Sequence, residues 1–514
     1  MCGICIQWGD TTSFSTCLDT IKARGPDSSI QFLASKIAVG FNRLRIQGPE
    51  ESDQPYKVTN GVVVCNGEIF NSTELNLTVP PGSSDCAVIP AMIEMGMNLN
   101  ELSRQLDGDF AIVYVDITNQ VVHASRDPYG VRPLYYVRTD SCCSLVSELK
   151  AAPSNPIYIK TIQPGTSVSF SMDGAVLSET VWHQVPWLKN PVFSNKTYVI
   201  AALRAAMEEA VSKRMSTVRD IGACLSGGLD SSLVAALAAR ILKKKGLQLH
   251  TYSIGMEGSP DLAHARLVAD YIGSIHHERV ITSEEALASI PAVIRAIESC
   301  DITTVRASVG NYLLGQFIAT VTPTVKVVLN GDGADEALGG YLYMRSAPND
   351  VAFEAETTRL LTEIHLYDVA RSERSMAAHG LESRSPFLDR QLVSVIRGIP
   401  TELLRSGWLE KHILREAFYF PLDDILPTKV IWRRKEAFSD GISRAENSWF
   451  EMARAEGLRQ SPDDKAPEAS WYRRLFLMNF PEIALPITTP AMWMPRFVNA
   501  TDPSARTLID YKTI

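Results

Sequence analysis

The spacing of apolar and polar positions changes along this chain. Over the first 185 or so residues the period is short. Phe110 to Ile117 alternates, turns at Thr118-Asn119 and resumes at Val121. Val62-Val63-Val64-Cys65 runs into Asn66-Gly67 and then Glu68-Ile69-Phe70, and Gly130 to Tyr136 reads as a turn and strand. Short strands at that density predict antiparallel sheets. Further on, continuous apolar runs alternate with helical spacing. Ile221 to Leu225 precedes a glycine loop, and Ser231 to Lys244 is apolar at helical intervals. Leu249 to Gly255, His276 to Ile281 and Val325 to Asn330 follow as strands. Ser259-Pro260 opens one intervening helix and Gly273 closes it. Strands alternating with helices predict a parallel sheet covered on both faces. Between the two regimes, His183 to Lys196 has prolines, asparagines and little periodicity. It places a linker at 186–196, an N-terminal domain at 2–185 and a second at 197–514, which opens on a helix from about Thr197 to Met215. Residues 453–470, polar with Pro and Gly, predict a mobile loop.

Composition narrows the class. A length of 514 residues exceeds one typical domain, and 45% hydrophobic with 21% charged residues describes a soluble globular protein. The net charge is −8, and no basic run exceeds Lys243-Lys244-Lys245, which sits at a helix C-terminus; this argues against nucleic acid or an anionic membrane as partner. No apolar run is long enough to span a bilayer, and no basic n-region marks a secretory leader. Nine cysteines, an odd number and scattered apart from Cys2 and Cys5, point to a reducing, cytoplasmic compartment rather than to disulfides or zinc.

Two stretches carry chemistry. In Leu225-Ser226-Gly227-Gly228-Leu229-Asp230-Ser231-Ser232 the glycines let an anion approach the main chain, and the following helix directs free N–H groups at it. Ser226, Ser231 and Ser232 add hydroxyl donors. The Lys-Ser/Thr pair of a Walker loop is missing, and Asp230 makes sense beside a phosphate if it holds a cation, most simply Mg2+. A second acidic loop, Asn330-Gly331-Asp332-Gly333-Ala334-Asp335-Glu336, also ends a strand, where ligands of parallel sheets lie. At the other end of the chain, removal of Met1 would give Cys2 both a thiol and a free α-amine, a nucleophile with a built-in base.

The glycine loop resembles the pyrophosphate loop of ATP pyrophosphatases, which make adenylates and release PPi. On that likeness the backbone at Leu225 and Ile254 is placed to face adenine, and Asn330-Gly331 to face ribose or the α-phosphate. Asp230 and Asp335 would share Mg2+. The ordered set Met1-Cys2-Gly3-Ile4, Arg24-Gly25-Pro26-Asp27, Arg43-Leu44, Asn66 to Asn71 and Ser84-Asp85 resembles class II glutamine amidotransferase domains. The resemblance implies that Cys2 forms a thioester with glutamine, and that the Asn66 side chain and Gly67 N–H form the oxyanion hole. It implies that Arg43 holds the glutamine carboxylate, that Leu44, Arg45, Ile46 and Gln47 line the pocket, and that Glu68 and Asp85 take the ammonium. The family has His before Arg-Gly-Pro-Asp, and Ala23 stands here instead.

Ser226 to Ser232, Ser259 to Asp261, Asp301 to Ser308, Gly339-Gly340-Tyr341, Ala377 to Asp389, Arg434 to Gly441 and Asn499 to Arg506 resemble the glutamine-dependent asparagine synthetases. Both halves are in family order. The implied fold is α/β and α+β in two domains. The first is an N-terminal-nucleophile hydrolase αββα sandwich of antiparallel sheets. The second is a parallel-sheet α/β ATP pyrophosphatase domain with a helical C-terminal part. The implied reaction converts ATP, aspartate and glutamine to asparagine, glutamate, AMP and PPi through β-aspartyl-AMP. Thr303 and Arg306 are then candidates to hold aspartate, and Lys435 to stabilise charge in the transition state. Asp332, where many relatives have Glu, would serve adenylate formation. A homodimer and an ammonia channel are also implied. A β-lactam synthetase shares this architecture but needs no ammonia, and retention of Cys2, Arg43, Asn66 and Asp85 speaks against it.

Overall fold

The computed structural model describes residues 1–186, 193, 195–419, 424–434, 449–489 and 494–500. Its N-terminal half holds two six-stranded antiparallel sheets. Strand Gly3–Gly9 lies inside the first, between Cys142–Val146 and Ile37–Arg43. Strands Gly61–Ile69 and Gly108–Asp116 form the middle of the second. The alternation read from the sequence sorts side chains between layers. Ile4, Ile6 and Trp8 face the second sheet and meet Val62, Val64, Val113 and Phe170. Cys5 points the other way and packs on Phe14, Cys17 and Leu18 of helix Phe14–Thr20. Helices Val88–Glu94 and Leu99–Gln105 cover the outer face of the second sheet over Val63, Cys65, Phe110 and Ile112. The result is an αββα sandwich.

In the C-terminal half five parallel strands stand in the spatial order Ile275–Ile281, His250–Met256, Asp220–Cys224, Val325–Leu329, Glu382–Arg384. The chain starts in the middle, winds outward to one side, then returns to the other. The loops that leave Asp220–Cys224 and Val325–Leu329 therefore diverge and open a crevice at this switch point. Helix Leu229–Lys244 begins directly behind the glycine loop, and helix Pro260–Ile272 ends on Gly273 with φ of 68°. The segment 453–470 corrects the loop expectation. Helix Trp449–Gln460 and helix Pro467–Leu477 occupy most of it. Gly457 does not break the first helix; a Cβ there would stand 2.6 Å from the Pro467 carbonyl carbon, so the glycine lets the two helices touch.

Val176–Val181 is the last strand of the sandwich and helix Lys196–Lys213 opens the other half; most of the linker expected at 186–196 lies outside the described residues. The two halves meet through buried ions. Arg24, 1% exposed, pairs with Glu148 of its own half at 2.6 Å and with Glu373 of the other. Burial alone would raise the Glu148 carboxyl, but Lys150 and Arg24 outweigh it and hold it at about 2. Arg214 reaches Asp389 at 2.9 Å and Asp109 at 3.5 Å. Glu68 pairs with Arg384 at 3.0 Å, and Arg384 with Glu382 at 2.8 Å. Replacing Arg24 by Met leaves Glu373 without this cation and Glu148 with Lys150 alone, with an expected cost of about 3–5 kcal/mol. Chemical denaturation would read this, and a loss below about 1 kcal/mol would mean that the ions are reached by water.

Candidate active sites

In the N-terminal half Cys2 enters its strand beside Asn66. The Cys2 N–H donates to Asn66 Oδ1 at 2.9 Å, and this orients the amide. Its Nδ2 is then buried and has no acceptor among the described residues. An unpaired buried donor is costly unless a ligand uses it, and this one sits beside a thiol. A Cβ on Gly67 would overlap the Asp109 carbonyl, so only glycine fits next to Asn66. Arg43 is held in place by the Pro49 carbonyl at 2.8 Å, the Gln47 carbonyl at 2.7 Å and the Asp53 carboxylate. Asp85 accepts from the Ile69 N–H at 2.6 Å and from Ser84 Oγ at 2.8 Å. Burial raises the carboxyls of Glu68 and Asp85, with Arg384 opposing in both.

The stretch 44–47 is placed less simply. Leu44 offers its carbonyl to Cys2 Sγ at 4.0 Å, while its side chain and that of Ile46 join the core of the other half. Arg45 pairs with Glu50, and Gln47 donates to Ser216 Oγ at 2.9 Å. Burial pushes the Cys2 thiol up to about 11, so at neutral pH it is protonated and needs a base. With Met1 in place that base is masked, because the Cys2 nitrogen is then an amide. The Met1 amine lies buried 3.6 Å from Glu382.

In the C-terminal half one cavity at the crevice is lined by Leu225, Ser226, Gly228, Asp230, Ser231, Ile254, Thr303, Arg306, Asn330, Gly331, Asp332 and Asp335. The sequence reading scattered these over some 110 residues, and the fold gathers them. The Ser226 and Ser231 hydroxyls are 3.0 Å apart. Gly227, at φ of 71°, supports the loop from behind, where a Cβ would overlap His264. Ser232 is fully buried under the loop. Asn330 is locked by Ser383 Oγ and Ser385 Oγ at 2.8 and 2.7 Å and donates to Asp332 at 2.8 Å. Asp332 also pairs with Arg371 at 2.8 Å. The Thr303 hydroxyl is a buried oxygen without a partner among the described residues. Arg306 is gripped side-on by Glu468, at 2.8 and 2.6 Å.

The asparagine synthase family model matches residues 202–352 and 345–482, and the glutamine amidotransferase domain model matches residues 1–197. Over 566 residues the chain is 38% identical to the "Asparagine synthetase [glutamine-hydrolyzing]" of Cricetulus griseus, covering 100% of this chain and 99% of that one. The Homo sapiens protein of that name is 38% identical over 567 residues and the Gallus gallus one 36% over 570, each with the same coverage. The chain belongs to the asparagine synthase family.

For an asparagine synthase chain, the residue that sequence reasoning missed is Lys411. Its Nζ lies 2.5 Å from Asp230 Oδ2 and 2.8 Å from Asp335 Oδ1, inside the cavity. Burial alone would lower the Lys411 amine, but the two carboxylates raise it well above its ordinary value. No spacing could have signalled it, because a lysine between Glu410 and His412 reads as a solvated charge. The expected pairing of Asp230 with Asp335 around one cation is present in geometry, with an ammonium between them. A divalent ion fits the same donors. Asp230 Oδ1 is buried and has no partner among the described residues, and a Cβ on Gly340 would overlap Asp335 Oδ1. Two carboxylates, with the remaining ligands from water and phosphate, suit Mg2+. Among the described residues no group of three or more His, Cys, Asp or Glu is gathered for a metal. Lys435 lies outside the described residues; Arg433 and Arg434 just before it line the cavity.

Proposed function

We propose that this chain is a glutamine-dependent asparagine synthetase, with a glutaminase domain at 2–185 and a synthetase domain at 197–514. The observation that carries the reading is the pairing of two complete constellations in one chain. One is a thiol beside an unused buried amide donor, and the other is a pair of aspartates converging on a cation behind a glycine loop. Once Met1 is removed, the Cys2 amine takes the thiol proton and sulfur attacks the glutamine amide. Asn66 Nδ2 and the Gly67 N–H receive the oxyanion. Arg43 faces the substrate carboxylate, and Glu68 and Asp85 its ammonium. Ammonia leaves, and water releases glutamate from the thioester.

In the second domain the loop of Ser226, Gly227, Gly228, Ser231 and Ser232 cradles the ATP phosphates, and the Leu225 and Ile254 backbone faces the base. Asp230 and Asp335 would hold Mg2+, which supplies charge neutralisation on the phosphates. Thr303 and Arg306 hold aspartate so that its β-carboxylate attacks the α-phosphorus and expels PPi. Asn330, Gly331 and Asp332 shape that end of the cavity. Ammonia then attacks the β-carbonyl and AMP departs, with Lys435 balancing the developing charge. Because ammonia protonates in bulk water, a channel between the sites is part of the proposal.

Mg2+, a cytosolic location read from the unpaired cysteines, and a homodimer belong to the same proposal. No helix among the described residues is long and apolar enough to cross a membrane. The reading is checked by product analysis with ATP, aspartate and glutamine. Asparagine, AMP, PPi and glutamate are expected in equal amounts; ADP in place of AMP, or no asparagine, would overturn it.

A further inference from the structure

Lys411 raises a question that the reaction does not answer. Asp230 and Asp335 stand in the first turns of helices Leu229–Lys244 and Ala334–Leu338 and are turned toward each other in a largely buried cleft. Two carboxylates facing each other there repel strongly unless a cation stands between them. The structure supplies that cation from the chain itself. Lys411 is only 3% exposed, and its ammonium touches one oxygen of each aspartate. Its backbone sits at φ of 54° and ψ of 33°, a left-handed conformation rare for lysine and kept only where the surroundings insist on it.

Those surroundings are visible. Gly340 lacks a Cβ where one would stand 2.8 Å from Lys411 Cδ and overlap Asp335 Oδ1. Glu410, the nearest competing acid in sequence, also lines the cavity but is paired with Arg415. The lysine is thus delivered to one point, and that point is where the two aspartates would grasp a metal.

We propose that Lys411 is a resident stand-in for the divalent cation: it keeps Asp230 and Asp335 together while the nucleotide is absent and yields them when the metal arrives with its phosphates. The proposal rests on the reading of Asp230 and Asp335 as ligands of a divalent ion. It makes metal entry an exchange of one cation for another. Metal without nucleotide has to displace the ammonium and leave it unpaired, so it binds poorly.

The test uses purified full-length protein without nucleotide. Thermal unfolding is followed in EDTA and in Mg2+, and Mn2+ binding is followed by electron paramagnetic resonance. Wild-type protein is expected to show the same Tm in both solutions and weak Mn2+ binding. Lys411→Met is expected to unfold earlier in EDTA, to regain most of the loss in Mg2+, and to bind Mn2+ at least about tenfold more tightly than wild type. A lower Tm that Mg2+ does not restore, or equal Mn2+ affinities, would overturn the proposal and leave Lys411 a packing residue. If Lys411→Met yields no folded protein, Asp230→Asn with Lys411→Met removes one charge of each sign. That double variant is expected to fold and to ignore Mg2+, and its failure to fold would also overturn the proposal. None of these readings requires asparagine formation, so the exchange can stand or fall apart from the assigned reaction.

Discussion

Cys2→Ala is expected to abolish glutamine-dependent asparagine formation, by at least about 10³-fold, and to leave ammonia-dependent formation within about twofold of wild type. The alanine removes the sulfur of the residue that holds the Asn66 amide in place. Small as it is, it still permits Met1 removal, so the amino end stays the same. The cavity around Asp230 has its own walls, and Cys2 is not among them. Of the other eight cysteines, six are buried, Cys224 lines the second cavity and Cys300 lies beside Thr489 of the C-terminal half, so none is placed to replace the lost nucleophile at Asn66. Assays with glutamine and with ammonium chloride, side by side, read the result. Loss of both activities would contradict the division into two sites, and survival of the glutamine reaction would mean that another group attacks the amide.

Asp230→Asn is expected to do the reverse. The change keeps the shape but removes one of two negative charges at the point where Lys411 now sits. Formation of AMP should fall by at least about 100-fold with either nitrogen source. Glutamine hydrolysis should persist, because Asp230 pairs with Lys411 and faces a cavity lined by the C-terminal half. Paired measurement of AMP and glutamate separates the outcomes. A variant that still made AMP at the wild-type rate would show that the aspartate pair has no part in adenylate formation.

Much of this arrangement was legible in the order of residues. The change from alternating to continuous apolar runs marks the passage from a sandwich with two half-buried sheets to a parallel sheet buried on both faces. The glycine loop announced its own strand, turn and helix. What escaped reading depends on distant partners. Strand Glu382–Arg384 has no apolar residue, and its burial comes from ion pairs with Glu68 and Arg132. Lys411 finds its carboxylates 181 and 76 positions away. Glu468, 162 residues from Arg306, grips one edge of the arginine that lines the cavity. Gly457 looked like a helix breaker because glycine is a poor helix former, yet it serves a close crossing of two helices.

The short strand Glu382–Arg384 and the serine after it have a broader consequence. Their pleat sends Glu382 and Arg384 toward the amino-terminal chemistry and Ser383 and Ser385 onto Asn330. This ribbon is a party wall between two workshops. Were the gene to split into separate polypeptides, each would carry away one bare side of it, with ionised groups and no counterpart.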